Sequence, residues 1–580
     1  MILDPEKIVS DYTDEEQAEI VGRVRDDFLA AEENRDDREE TALEDYELYM
    51  RKRRDAQAQA DARGGWSKIE VPIVYWNIEH QLPRLGVEPP TITVKGLNPE
   101  SAPYAMAKQL RLQWYLNRCG WDLPYQMVAR SKLIIGDGIA MIPWSPRMHM
   151  PRVMHVDWFD FFVSAEAAVF EEADCYFHRT FWTPIGLDEL AGELDEQDRP
   201  IWHNLDQLPS AGSRGEVDDT WARRRGLADQ GQGGAQGNAS HVIPFISCWY
   251  RTGEYVVLGG SGFTTLVRAG MSPYRRRVNY PGVESKVEYL RPFVFFRNIP
   301  DLTGPYSLSE ARVLGDHQLE MSTLRNQFID QVSLDINAPI VHDESIPDEK
   351  VARAFATPKG RLPVPWGASG PLIMRMPVGQ PSAAIPMIYE QVRNESQLIS
   401  GMNDNAAGQA VNGEQTATEI NTLAQAASMR MQLKRKMDEI AMQEVGRHFD
   451  WRDRQFCGIV RMEVPEGVDP ATLAGAFSLV PEEMDVSALM AGRGPGVRPG
   501  VNAGFVQLAM DANKPGLEYE VTVDAGSTVR ADQTEEAQRL AAFVAGISPP
   551  EMALRGDWDE VTRAFISANG FPADRLYKPP

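Results

Sequence analysis

Apolar positions along this chain change their period several times, and the changes mark out its elements. From about Asp14 to Ala62 the residues are highly charged and free of proline, with Gly22 the only helix breaker. Phe28, Leu29, Leu43, Tyr46, Leu48 and Tyr49 supply thin apolar stripes there, which predicts two surface helices with solvated outer faces. The period then shortens. Val71 to Trp76 (VPIVYW) is rich in β-branched and aromatic residues, and Thr91-Ile92-Thr93-Val94 alternates behind Pro89-Pro90; both stretches look like strands. Tyr104 to Ile135 returns to helical spacing through Leu110, Trp114, Met127 and Leu133. Strand signals follow at Ile139–Pro143, Val153–Val163, Val242–Leu258 and Val287–Phe296.

The longest helical patterns lie in the second half. From Ser307 to Ile336, Leu314, Met321 and Phe328 recur near heptad spacing, with Thr323, Leu324 and Gln331 beside them. Leu314, Met321, Leu324 and Phe328 are therefore the expected packing residues against neighbouring helices. The next stretch, to Ile385, is rich in Pro and Gly and reads as a compact module containing β-structure. Trp366, Leu372, Ile373 and Met374 are its apolar anchors, fit either for a partner or for the module's own core. Met387 to Ser400 is a short helix with Ile388, Val392, Glu395 and Ile399 on one stripe, and Gly401 to Gly413 is a loop of Gly, Asn and Ala. From Glu414 to Val445 neither Gly nor Pro occurs, and good helix formers dominate. Unbroken, that run is about 48 Å long. Beyond it, Gln455–Val464 and Glu518–Val523 alternate as strands around a Gly/Pro stretch, and Asp532 to Ala545 reads as a closing helix with Glu535 at the capping-box position.

Composition narrows the classes. With 580 residues, 43 % hydrophobic and 25 % charged, the chain is globular and long enough for roughly two to four domains. No apolar run approaches the roughly 18 residues of a membrane span, and Met1–Lys7 does not begin a signal peptide. Cys119, Cys175, Cys248 and Cys457 form no CxxC pair and read as reduced, buried thiols. The net charge of −25 argues against a broad basic face that grips nucleic acid, yet suits a surface that DNA must pass without sticking. Pro209 to Ser240 is a Gly-, Gln- and Arg-rich insertion, in which Arg223-Arg224-Arg225 has acids close by.

Recognisable chemistry is absent. There is no Walker A motif, no HExxH, no GxSxG and no zinc spacing. Gly136-Asp137-Gly138 lacks a third glycine and a following helix, and reads as a β-turn. Asp157 and Asp160 could suggest acid–base work, but capped strand ends explain them better. His155, His178 and His203 stand alone, and Arg555-Gly556-Asp557 reads as a turn. No catalytic residue, metal site or cofactor is expected.

The loop Gly401–Gly413, then Thr416-Ala417-Thr418-Glu419-Ile420, then the long Met- and Arg-containing helix resembles the tunnel loop and long helix of tailed-bacteriophage portal proteins. These are the rings through which viral DNA enters and leaves the capsid. The order of parts is similar across nearly the whole chain, most closely from Val287 to Phe449. The resemblance implies an α+β, multidomain, ring-forming portal-type fold with long stem and wing helices and small β modules. A wing would cover 1–306, with the flexible insertion at about 209–240, and the first stem helix 307–336. The clip would be 337–385, the second stem helix 386–400, the tunnel loop 401–413 and the long wing helix 414–448. Wing strands and a linker would fill 449–531, and crown helices 532–580.

The same resemblance implies a homo-oligomer of about twelve copies at one capsid vertex of the virion, assembled in the host cytoplasm. Its work would be DNA packaging and ejection. Implied partners are the terminase large subunit, the head–tail adaptor, the major capsid and scaffolding proteins, and double-stranded DNA passing without sequence specificity. With no nucleotide loop in this chain, a partner would hydrolyse the ATP. Asn403, Asp404, Asn405, Gln409 and Asn412 would face the DNA from the tunnel loop, which carries no Lys or Arg. Trp366, Leu372, Ile373 and Met374 would serve the clip's partner contacts. Two alternatives stand beside this: a head–tail adaptor or baseplate-like ring without a translocation role, and a nucleic-acid enzyme whose acidic residues bind metal.

Overall fold

The computed structural model describes residues 7–51, 67–85, 92–98, 101–194, 198–208, 220–221, 224, 242–278, 286–336, 340–342, 349, 373–375, 382, 384–401, 417–456, 461–463, 505–507 and 519–523. Helices and several small sheets make an α+β protein, divided into two units. One unit is Met1–Glu39, His80–Leu308 and Ser428–Pro580, and the other is Glu40–Glu79 and Ser309–Ala427. The expected helix from Asp532 lies outside the described residues, as do Cys457 and nearly all of the 209–240 insertion.

Several elements differ from the sequence reading. Helix α1 (Asp14–Met50) is continuous where two helices are predicted. A lone mid-helix glycine costs only about 1 kcal/mol, too little to split a helix with a good start. That start is a capping box in which the Thr13 amide donates to Glu16 Oε2 at 2.8 Å and the Glu16 amide to Thr13 Oγ1 at 3.3 Å. Helix α2 (Ile73–Leu85) occupies the strand-like VPIVYW stretch. Its buried residues Val74, Ile78, Leu82 and Leu85 recur every three or four positions, and that period overrides β-branching. The single helical stretch of 104–135 is two helices, α3 (Ala102–Arg118) and α4 (Asp122–Ile135), parted where Gly120 takes φ 72°. The triplet Gly136-Asp137-Gly138 ends α4 and opens the strand Asp137–Met141. Gly136 has φ 114°, and a Cβ there would sit 2.1 Å from the Ser307 carbonyl oxygen, so only glycine fits.

Further along come α5 (Pro184–Ala191), α6 (Glu310–Ile336), α7 (Ala384–Ser400) and α8 (Ala417–Phe456). Helix α8 continues past Val445 into the first residues of the predicted strand 455–464, of which Arg461–Glu463 is strand. Gly446 does not end it, because the chain approaches closely there: a Cβ would meet Val521 at 2.9 Å. The strand Tyr519–Val523 pairs antiparallel with Ile92–Gly96.

The first unit is built around an antiparallel sheet ordered Thr265–Met271, Glu254–Gly259, Ile243–Tyr250, Cys175–Trp182 and Phe161–Val163. Alternation along the strands gives it two faces. Phe162, Phe177, Cys248, Val256 and Leu258 pack with Ile20, Val24, Phe28 and Ala31 of α1. Phe161, Tyr176, Trp249 and Tyr255 point the other way and meet one another and Phe293. Arg35 locks α1 in place by donating to the carbonyls of Trp158, Phe159 and Phe161, with its guanidinium carbon 3.7 Å from the Phe162 ring centre. Beside this sheet, Asp137–Met141 runs between Phe293–Arg297 and Met154–Val156.

Residues 428–456 of α8 are tied to α3 and α4 by buried charge. Lys108 Nζ lies 2.6 Å from Asp453 and 2.8 Å from Asp450, and Arg111 Nε lies 2.7 Å from Asp453. The Tyr115 hydroxyl donates to Asp453 Oδ1 at 2.8 Å. Burial pushes the Asp453 carboxyl up, but Lys108 and Arg111 outweigh it and hold the group below its ordinary value. About four turns earlier on α8 lies the second clamp, in which Lys132 Nζ is 2.7 Å from both carboxylate oxygens of Asp438. There burial prevails, and the Asp438 carboxyl is raised with Lys132 opposing.

In the second unit, α6 acts as an edge for extended chain. Gln318, Ser322, Asn326 and Asp330 recur every four residues, and each accepts one backbone amide. Val74 donates to Gln318 Oε1 at 2.9 Å, Val71 to Ser322 Oγ at 3.0 Å, Ile69 to Asn326 Oδ1 at 2.9 Å and Ser67 to Asp330 Oδ1 at 2.8 Å. Gln318 Nε2 donates back to the Leu48 carbonyl at 3.0 Å. Helix α7 closes the cluster by placing Val392 against Met321 and Val71. Among the described residues no helix is long and apolar enough to cross a membrane.

The clamp between α4 and α8 makes a direct prediction. Lys132→Met leaves Asp438 buried without its cation and should cost about 3–5 kcal/mol in urea unfolding, whereas Lys132→Met with Asp438→Leu should recover most of that loss. A single variant that loses less than about 1 kcal/mol would contradict the clamp.

Candidate functional site

The sequence-predicted residues meet different outcomes. Asn403, Asp404, Asn405, Gln409 and Asn412 lie outside the described residues, as do Trp366 and Leu372. Ile373 and Met374 belong to the strand Ile373–Arg375, which pairs antiparallel with Ile340–His342. The four α6 residues divide: Leu314 and Met321 are buried within the chain, Leu324 is half-buried and Phe328 is exposed.

That division follows the helix faces. The inner stripe of α6 (Ala311, Leu314, Gly315, Gln318, Met321, Ser322) is buried within the chain. Farther along, Phe328, Leu334 and Ile336 stand exposed, and α7 leaves Met387 at 74 % and Leu398 at 72 % exposure, with Ile388 and Ile399 beside them. Two packed helices thus keep large apolar side chains in solvent on their outer surfaces, an arrangement that favours association.

The acidic pair Asp157 and Asp160 is fully engaged. Asp157 Oδ1 accepts the Phe159 amide at 3.2 Å, capping a short 3-10 turn, and its Oδ2 lies 2.9 Å from Arg224 Nη1. Asp160 Oδ1 lies 3.1 Å from Arg179 Nε. These are structural carboxylates at strand ends. His178 is half-buried, its pKa pushed down to about 4 by desolvation, and it packs edge-on against Phe293. Cys175 and Cys248 are buried, Cys119 is half-buried, and burial raises all three thiols.

One concave site was not anticipated from the sequence. A cleft of about 470 Å³ lies beyond the aromatic face of the five-stranded sheet, between the Phe293–Arg297 strand and α8. Met437, Ile440, Ala441, Glu444, His448 and Trp451 line one side at spacings of three and four, so they form one stripe of the helix. Arg251, Arg276, Arg291 and Arg297 line the rest with Tyr176 and Tyr289. Three of these arginines are held by close neighbours. Arg291 donates to the carbonyls of Ala173 and Glu171 and lies 3.9 Å from the Tyr176 ring centre. Arg276 pairs with Glu288 at 2.7 Å and lies 4.8 Å from the Trp451 ring centre. Arg297 pairs with Glu171. Burial lowers the Arg291 pKa. Burial, with Arg452 and Arg276 adding to it, holds His448 well below its ordinary value, so the ring is neutral. The buried Nδ1 of His448 and Nε of Arg297 have no hydrogen-bond partner among the described residues.

The cleft escaped the sequence reading because its arginines are dispersed over residues 251–297 and alternate with acids. Strand pairing brings them together. Comparison with protein-family models finds no match for this chain, and a search of curated proteins finds none.

Proposed function

We propose that this chain is the protomer of a portal-type ring at a capsid vertex, a conduit for viral DNA that docks a terminase motor during packaging and a head–tail adaptor afterwards. The observation that carries the reading is the α6–α7 pair. Its inner stripe is satisfied within one chain, while Phe328, Leu334, Ile336, Met387 and Leu398 remain in solvent. Two adjacent helices with apolar outer surfaces suit burial against further copies. The order of described elements adds to this: strand Phe293–Arg297, long helix α6, the paired strands Ile340–His342 and Ile373–Arg375, helix α7, then long helix α8. That order is the one the portal resemblance rests on.

Charge agrees with a conduit. Each copy carries −25, so a ring of about twelve would carry about −300 and repel DNA from its walls at long range. The chemical work of packaging belongs to a partner ATPase. Capsid and scaffolding proteins would surround the ring, and the module at 337–385 would meet motor or adaptor.

Two measurements test this reading. The mass of the assembled protein is expected to correspond to a closed ring of about twelve copies. A chain that stays monomeric inside purified virions overturns it. The second concerns the loop 401–413, where Asp404 is the only charge. Asp404→Arg would set a ring of cations against the passing duplex, so packaging should slow or stall, with relief as salt rises and with assembly unchanged. Wild-type packaging rates at low salt would mean that the loop does not meet DNA.

A further inference from the structure

The arginine cleft and the outer face of α1 are complementary, and they sit on opposite faces of one sheet. Helix α1 packs Phe28 against Phe162 and Phe177 on one face, while Tyr176 and Phe293 carry the cleft on the other. The outward stripe of α1 runs through Glu15, Glu19, Gly22, Asp26, Leu29, Glu33 and Asp36, all exposed and all at helical spacing. It holds five acids, and the exposed Arg23 and Arg25 flank it on the same outer surface. At its centre Leu29 is 46 % exposed between Asp26 and Glu33. Gly22 on the same stripe has open space outside it among the described residues.

We infer that the cleft receives the Asp26–Asp36 stretch of α1 from a second copy of this chain. The inference rests on the ring reading and names the contact that would build the ring's first unit. Leu29 would reach the apolar part of the cleft, made by Met437 and Ile440, while Asp26, Glu33 and Asp36 meet Arg251, Arg276 and Arg297. Because the two surfaces differ and lie on opposite faces, the contact is heterologous. Each copy offers a helix to one neighbour and a cleft to the next, and such contacts close into a ring when the rotation they impose divides a full circle. A chain at −25 needs local opposite charge to associate with itself, and in the cleft lining four arginines outnumber the two acids, Glu171 and Glu444.

The test uses two full-length variants. One carries Arg251→Glu and Arg276→Glu, the other Asp26→Lys, Glu33→Lys and Asp36→Lys. By analytical ultracentrifugation at low salt, each alone is expected to need at least about tenfold more protein for half-maximal assembly than the unchanged chain. Mixed in equal amounts they should assemble again, since every cleft then meets a helix of opposite charge. Circular dichroism checks that each variant keeps its fold. Should the cleft variant lose it, Leu29→Lys alone decides: weakened assembly supports the contact, and unchanged assembly overturns it. Assembly of either charge variant alone at the level of the unchanged chain, or no recovery on mixing, also overturns it. An unchanged chain that never oligomerises removes the ring reading and this contact together. Rings indifferent to charge reversal remove the contact alone.

Discussion

The buried pairing of cations on α3 and α4 with carboxylates on α8 is the constraint on which the first unit depends. Lys108, Lys132, Asp438 and Asp453 are all at most 2 % exposed, so none retains its hydration. Removing such groups from water costs several kcal/mol each, and only near-ideal partners offset it. The geometry meets that demand: Asp453 accepts from Lys108, Arg111 and Tyr115 together, and Asp438 takes both its contacts from one ammonium. Ion pairs of this kind add little net stability over apolar packing. Their effect is to forbid alternatives, since any slip of α8 leaves a charge stranded. The register so imposed fixes where Met437, His448 and Trp451 stand, and with them one wall of the arginine cleft.

The second unit reaches specificity by another route. Gln318, Ser322, Asn326 and Asp330 give α6 a row of acceptors that a strand edge would otherwise supply, and residues 67–74 are laced to it amide by amide. The extended chain leaves few backbone donors unsatisfied on that side. The inner stripe of α6 is thereby occupied, and its remaining apolar residues turn outward. Exposed Phe328 and Ile336 follow from how the inner face is filled.

Much of this was legible in the sequence, and the exceptions share a cause. Helix α6 is marked by heptad-spaced Leu314, Met321 and Phe328, and α7 and α8 by the Gly- and Pro-free runs 387–400 and 414–445, so their existence follows from local chemistry. The α+β class, implied by the family resemblance, agrees with the mixture of helices and small sheets. Helix α2 was misread because β-branched residues at 73 and 74 suggest a strand until the spacing of Val74, Ile78 and Leu82 is weighed against its packing. The clamp between Lys108 and Asp453 joins residues 345 positions apart, and no periodicity announces it. The acceptor row on α6 is polar and passes unnoticed in a search for apolar stripes. The cleft is likewise a product of pairing: Arg251, Arg276, Arg291 and Arg297 look like ordinary surface residues until the strands assemble.

The account turns on one claim, that copies of this chain close into a ring around a passage for DNA. Electron micrographs of the purified, assembled protein test it most directly. A ring with a central hole about as wide as duplex DNA is the expected image. A solid particle, an open filament, or a closed ring whose hole is too narrow for a duplex would contradict it.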